Sequence, residues 1–214
     1  MNIQQQLENL QLAKSKKDVK YEQLTQTYLH QILAEYKSDH KVYNYLNLNE
    51  STELKDKAGV YLMFAEQEKN IIFTYVGEST KIWNRFKRHL DEIKKGNKKL
   101  SLYKKINYRI NTHNLKLEDI KFIVIADNLE DENQRLALEV WNIYKTKTKN
   151  YSMNSKICSR RLKCPLGHGV CRTKMQFVID DNQIKMIISG ISKSKKCKER
   201  FLITETGNII LKNK

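Results

Sequence analysis

Long apolar runs are missing from this sequence of 214 residues. No window approaches the roughly 18 apolar residues that a membrane-spanning helix requires, and the opening residues place no apolar stretch behind a basic head. The expectation is a soluble, cytoplasmic protein without a membrane partner. Proline occurs once and glycine seven times, and neither falls within the first 40 residues. There Tyr21, Leu24, Tyr28, Ile32 and Tyr36 recur at helical spacing, which predicts one short and one longer amphipathic helix whose apolar stripe packs on the core. Cysteine is absent until Cys158, after which Cys164, Cys171 and Cys197 follow. A chain of this length buries an ordinary core without disulfides, and cysteines in an intracellular chain point to metal, or to nothing, before they point to a cross-link.

Acid is scarce beside base. Asp and Glu number 24 against 40 Lys and Arg, a formal net charge of +16. An imbalance of that size in a small domain implies a polyanionic partner, although a solvated Lys-rich surface is the plain alternative. The excess is uneven: residues 155 to 214 hold 14 Lys or Arg and 4 acids, or +10 of the total. Phosphates would be drawn there first, because each one neutralised releases condensed counterions.

The middle of the chain alternates periods. Gly59–Phe64 and Ile71–Val76 are β-branched or aromatic and are separated by a polar turn, which predicts a hairpin. A helix is predicted from about Lys81 to Lys95, with Ile82, Phe86, Leu90 and Ile93 on one stripe. A basic helical segment then runs toward Arg109. Ile120–Ile125 reads as a third strand and Asp131–Lys147 as a long helix. Further on, Met175–Ile179, Ile184–Ser189, Arg200–Thr204 and Ile209–Leu211 read as short strands, with turns at Asp181-Asn182 and at Thr206-Gly207-Asn208, and Lys193–Arg200 as a loop or solvated turn. The expected fold is α+β, a small three-stranded antiparallel sheet flanked by helices. Three units are expected: residues 1–55 as an N-terminal helical arm, 56–155 as the core, and 156–214 as a basic, strand-rich extension.

Chemistry gathers in the core. Gly59-Val60-Tyr61 opens one strand and Tyr75-Val76-Gly77 closes the next, so two phenols can share one side of the sheet. Arg85 and His89 stand four apart, one helical turn, on a single face. Glu139 interrupts the apolar run Leu136–Tyr144, and Asn154 follows it by fifteen residues. Taken singly, each residue has a dull reading as a strand end or a polar helix face. As an ordered set with these spacings, they resemble the GIY-YIG nuclease family, with Val in place of Ile in both tripeptides. The resemblance covers Ala58 to Ser155, about half the chain.

What the resemblance implies is hydrolysis of a DNA phosphodiester with one divalent cation, Mg²⁺ or Mn²⁺. Such a reaction needs a base for water, positive charge for the phosphoryl oxygens and help for the leaving oxygen. Tyr61 is the expected base. Holding a phenol of pKa near 10 as phenolate at pH 7 costs about 4 kcal/mol, so it needs assistance. His89 would accept or relay the proton, Arg85 would stabilise the transition state, and Glu139 would hold the metal. Tyr75 would orient water or a phosphate oxygen, and Asn154 would fix local geometry. The products would carry 5′-phosphate and 3′-hydroxyl ends.

Outside that set, Lys81 and Lys87 on the helix and Arg160, Arg161, Lys163 and Arg172 in the tail are candidate contacts to the DNA backbone. Cys158, Cys164, His168 and Cys171 offer a Cys₃His set that zinc could take tetrahedrally, but no Cys-x2-Cys pair is present, and reduced thiols beside a basic loop are the favoured reading. The compact layout fits a type II restriction endonuclease acting on double-stranded DNA as a homodimer. Homing or repair endonucleases, and a DNA-binding protein without activity, are the alternatives.

Overall fold

The computed structural model describes residues 21–68, 70–97, 99–146, 152–154, 172–180, 183–191, 196–204, 206 and 208–211. Among them the elements run α1 (Tyr21–Asp39), β1 (Val42–Asn44), β2 (Gly59–Gln67), β3 (Asn70–Ser79), α2 (Ile82–Lys94), α3 (Ser101–His113), β4 (Ile120–Ala126), α4 (Glu132–Thr146), β5 (Arg172–Asp180), β6 (Gln183–Ile191), β7 (Lys196–Ile203) and β8 (Ile209–Leu211). Of the two helices expected within the first 40 residues, one is α1; residues 1–20 and the turn at Asp181-Asn182 lie outside the described residues.

The fold is α+β, and its first sheet has four antiparallel strands in the order β1-β4-β2-β3. This corrects the expectation of three. The additional strand is Val42–Asn44, paired with Lys121–Ile123 of β4. Three residues are too few to show a period of two, so the strand left no signal. Its middle residue, Tyr43, is buried and faces Phe86 at a ring separation of 6.4 Å.

Alternation along β2 divides the core. Val60, Leu62 and Phe64 point to one face, where they meet Tyr28, Leu29, Ile32, Leu33 and Tyr36 of α1 and Leu138 and Ile143 of α4. Tyr61, Met63 and Ala65 point to the other, against Ile82, Phe86, Leu90 and Ile93 of α2 and Tyr103 and Ile106 of α3. A strand covered on both faces has no polar side to display, which is why Val60–Ala65 reads as a continuous apolar run. Of the expected stripes, Tyr28, Ile32 and Tyr36 of α1 and Ile82, Phe86, Leu90 and Ile93 of α2 are buried, and Leu24 is partly buried.

Charge ties α1 to the sheet. The Glu66 carboxylate accepts hydrogen bonds from Lys37 at 2.7 and 2.8 Å and from Lys121 at 2.8 Å. Beyond the core, β5-β6-β7-β8 form a second four-stranded antiparallel sheet. Lys196–Arg200 belongs to β7, so the segment read as a loop is a strand for most of its length. Its lysines hid the apolar period that would have marked it. At its end the Thr204 N–H donates to the Asn208 carbonyl at 2.9 Å, while Gly207 of the expected turn lies outside the described residues.

Candidate functional site

The two glycines of the tripeptides make room for backbone and ring. Gly77 lies opposite Tyr61 in the β2–β3 ladder. A Cβ on Gly77 would stand 2.5 Å from the Tyr61 hydroxyl oxygen, and one on Gly59 would stand 2.0 Å from the Ala126 carbonyl oxygen. Neither position can carry a side chain without displacing its neighbour. Register therefore brings the phenols together: Tyr61 and Tyr75 have ring centroids 6.4 Å apart.

Helix α2 supplies the next two groups. Its apolar stripe is pressed on the sheet, so His89, within that stripe, is carried inward to 1 % exposure. The imidazole stands edge-on to Tyr61 at 5.7 Å and to Tyr75 at 5.6 Å between centroids. Its Nε2 is 2.7 Å from the Tyr61 hydroxyl, and its Nδ1 is 3.1 Å from the hydroxyl of Tyr103 on α3. Tyr103 carries no motif, and sequence reasoning passed over it. Only the packing of α3 on α2 shows that a third phenol belongs to the cluster.

Arg85 sits one turn before His89 and half emerges from the core. Its Nε is buried and has no hydrogen-bond partner. The guanidinium is near enough to both phenols for its charge to lower their pKa values. Glu139 acts on the same two groups in the opposite sense, raising both. That carboxylate lies on α4, which packs on the edge strand β3. It is half-buried, between Leu138 and Val140, which are both buried. Arg85, His89, Tyr61, Tyr75 and Glu139, spread over 79 positions, thus act on one small volume.

Burial sets the protonation states. The Tyr61 phenol is fully enclosed, which pushes its pKa well above 10; Tyr75 and Glu139 add to the rise and Arg85 opposes it. Tyr75 is pushed up to about 12, again by burial first and then by Glu139. Burial, with Arg85 and Arg88 nearby, brings His89 down to about 3. At neutral pH Tyr61 and Tyr75 therefore keep their protons and the imidazole is neutral, with one lone pair.

Asn154 holds the strand that bears Tyr75. Its amide pairs with both polar groups of Val76, accepting from the N–H at 2.8 Å and donating to the carbonyl at 2.8 Å. Together with the bond from the Met153 N–H to the Thr74 carbonyl at 2.7 Å, this seats residues 152–154 along the outer edge of β3. A primary amide can do so because it presents a donor and an acceptor as a peptide does.

Next to the cluster, Glu78 and Arg135 form a buried ion pair at 3.3 Å, and Arg135 also donates to the carbonyls of Leu129 and Glu130 at 2.7 and 2.8 Å. Arg135 precedes Glu139 by one turn of α4, so the pair fastens the carboxylate-bearing helix to β3. Neither residue stood out in the sequence, since charge alone does not announce burial. Lys81 is exposed just before α2, and Lys87, also exposed, lies 4.3 Å above the Trp83 ring. Arg172 begins β5. Arg160, Arg161, Lys163, Cys158, Cys164, His168 and Cys171 lie outside the described residues.

No protein-family model matches the chain, and no curated protein or solved structure is significantly similar to it.

Proposed function

We propose that this protein is a divalent-metal-dependent DNA endonuclease of the GIY-YIG type, and that it cuts double-stranded DNA at specific sequences as restriction endonucleases do. The observation that carries the reading is the Arg85 guanidinium, with a buried Nε left without a hydrogen-bond partner, held beside two protonated phenols and a neutral imidazole. A guanidinium that reaches solvent on one side and keeps a buried Nε without an acceptor can take an anion from outside, even with the Glu78 carboxylate near enough to act on it. The planar fork of Arg suits a phosphodiester, and the net charge of +16 favours a polyanion over a small one.

A cation has a fitting place at Glu139. Mg²⁺ is commonly held by one or two carboxylates with water and substrate phosphate completing its octahedron, and a half-buried carboxylate whose field reaches both phenols meets that requirement. Among the described residues no group of three His, Cys, Asp or Glu gathers, so phosphate and water would supply the remaining positions. When bound, the metal supplies charge against the phosphoryl and leaving oxygens.

The chain's own residues do the rest. Water attacks phosphorus opposite the 3′ oxygen, the P–O3′ bond breaks, the departing 3′ oxygen takes a proton from solvent water, and 5′-phosphate and 3′-hydroxyl ends result. Tyr61 takes the proton from water as its own proton passes to His89 Nε2, across the 2.7 Å contact. A concerted handover avoids a free buried phenolate, which the raised pKa of Tyr61 opposes, and the imidazolium it creates, which burial and Arg85 oppose in turn, is tolerated only while negative charge develops on the phosphate beside it. Arg85 meets the charge that develops on the equatorial oxygens. Tyr75 orients water or a phosphate oxygen from the neighbouring strand.

The test is plasmid DNA incubated with the purified protein and Mg²⁺, comparing wild type with Glu139→Ala. Discrete fragments are expected from the wild type, and at least a hundredfold loss from the variant, since a metal-holding carboxylate contributes on the order of 10² or more. A smear would mean cleavage without sequence preference. Intact DNA in a shifted band would leave only a DNA-binding protein.

A further inference from the structure

His89 is clasped at both ring nitrogens by phenols. Tyr61 reaches Nε2 at 2.7 Å and Tyr103 reaches Nδ1 at 3.1 Å, and all three side chains are buried. A neutral imidazole carries one N–H and one lone pair, so the two contacts cannot have the same sense. Either Tyr61 donates to Nε2 while Nδ1–H donates to Tyr103, or Tyr103 donates to Nδ1 while Nε2–H points at Tyr61. The first arrangement leaves a lone pair ready for the Tyr61 proton. The second blocks it, because Nε2 already bears a hydrogen.

From this geometry we infer that Tyr103 is a positioning residue: its hydroxyl oxygen accepts the His89 Nδ1–H and so keeps the Nε2 lone pair turned to Tyr61. The inference rests on the nuclease reading for its catalytic consequence, though not for the tautomer itself. Which nitrogen of a histidine bears the proton is set by the bond that the other makes, and bonds donated by O–H run shorter than those donated by N–H, so 2.7 Å at Nε2 fits Tyr61 as the donor and 3.1 Å at Nδ1 fits an N–H donor. When the proton from Tyr61 arrives, the ring becomes a cation with two N–H donors, and the Tyr103 oxygen remains in place to accept from Nδ1. The edge-on ring contact, 5.8 Å between centroids, holds the phenol against the imidazole. Tyr103→Phe removes one oxygen and keeps that packing.

Two measurements on the full chain decide it. In ¹⁵N-labelled protein, two-bond imidazole correlations, with the His89 signals assigned by their loss in His89→Gln, should show wild-type His89 as the Nδ1–H tautomer. Tyr103→Phe should shift that pattern toward Nε2–H. Cleavage by Tyr103→Phe should lose at least about tenfold in kcat, with KM unchanged, as expected when a proton acceptor is turned away but substrate contacts remain. A wild-type Nε2–H tautomer would overturn the inference, as would a variant with unchanged spectrum and unchanged kcat. If the tautomer changes as stated but the wild type cuts no DNA under any metal, the positioning role stands and the nuclease reading falls.

Discussion

Gly77 lies directly across the β2–β3 ladder from Tyr61, and the phenol occupies the space that any side chain at 77 would need. A methyl group there would come within 2.5 Å of the hydroxyl oxygen and 2.6 Å of the ring carbon that bears it. The glycine is thus part of the site although it has no chemistry of its own.

Gly77→Ala should therefore damage activity more than stability. Overpacking of a filled core costs about 1–3 kcal/mol, and relief would come from displacing Tyr61 away from His89. Because a misplacement of about 1 Å can cost a hundredfold in rate, cleavage should fall by that order while the urea midpoint drops only modestly. Full activity in Gly77→Ala would show that the Tyr61 hydroxyl need not stay where it is.

The buried imidazole gives stability a pH dependence of known sign. His89 titrates near 3 in the folded chain and near 6.5 when unfolded. Above 6.5 neither state binds the proton and the group has no effect. Between 6.5 and 3 the unfolded chain takes up a proton that the folded chain refuses, so stability falls as pH falls. At pH 4.5, two units below the unfolded pKa, this amounts to about 3 kcal/mol, at 1.36 kcal/mol per unit. Urea unfolding at pH 7 and pH 4.5 should show a drop about that much larger in wild type than in His89→Gln. Equal drops would mean that His89 protonates freely in the fold.

Arg135 and Glu78, exposed by only 4 % and 6 %, fasten α4 to β3. Arg135→Met removes the guanidinium and leaves a carboxylate in a dry place, which costs about 3–5 kcal/mol. The double variant Glu78→Gln with Arg135→Met should recover part of that loss. A double-mutant cycle on urea midpoints measures the coupling, and strictly additive losses would show that the two residues act independently.

Much of the architecture was legible in the residues. The apolar stripe Ile82, Phe86, Leu90 and Ile93 marked α2, and the runs at Gly59–Phe64 and Ile71–Val76 marked the hairpin, because burial imposes its period on the chain. Strand β1 escaped, being too short for a period, and β7 was half hidden by its lysines. Within the candidate site, Tyr61, Tyr75, Arg85, His89 and Glu139 stand out by their order and spacing, and the structure brings their charges and rings within reach of one another. Tyr103, Glu78 and Arg135 carry no such signal. Nothing local sets one of eleven tyrosines, or an ordinary pair of charged residues, apart from the others.

The sequence by itself determined which residues of the main stripes face inward, and that Arg85 and His89 share one face of a helix. These follow from periods and distances along a covalent chain. Only the tertiary structure decided that His89 lies between two phenols, that Tyr61 and Tyr75 keep their protons, and that the Arg85 Nε is left without a partner. Such properties depend on exclusion of water and on charges acting through space, and neither is written in the spacing of residues.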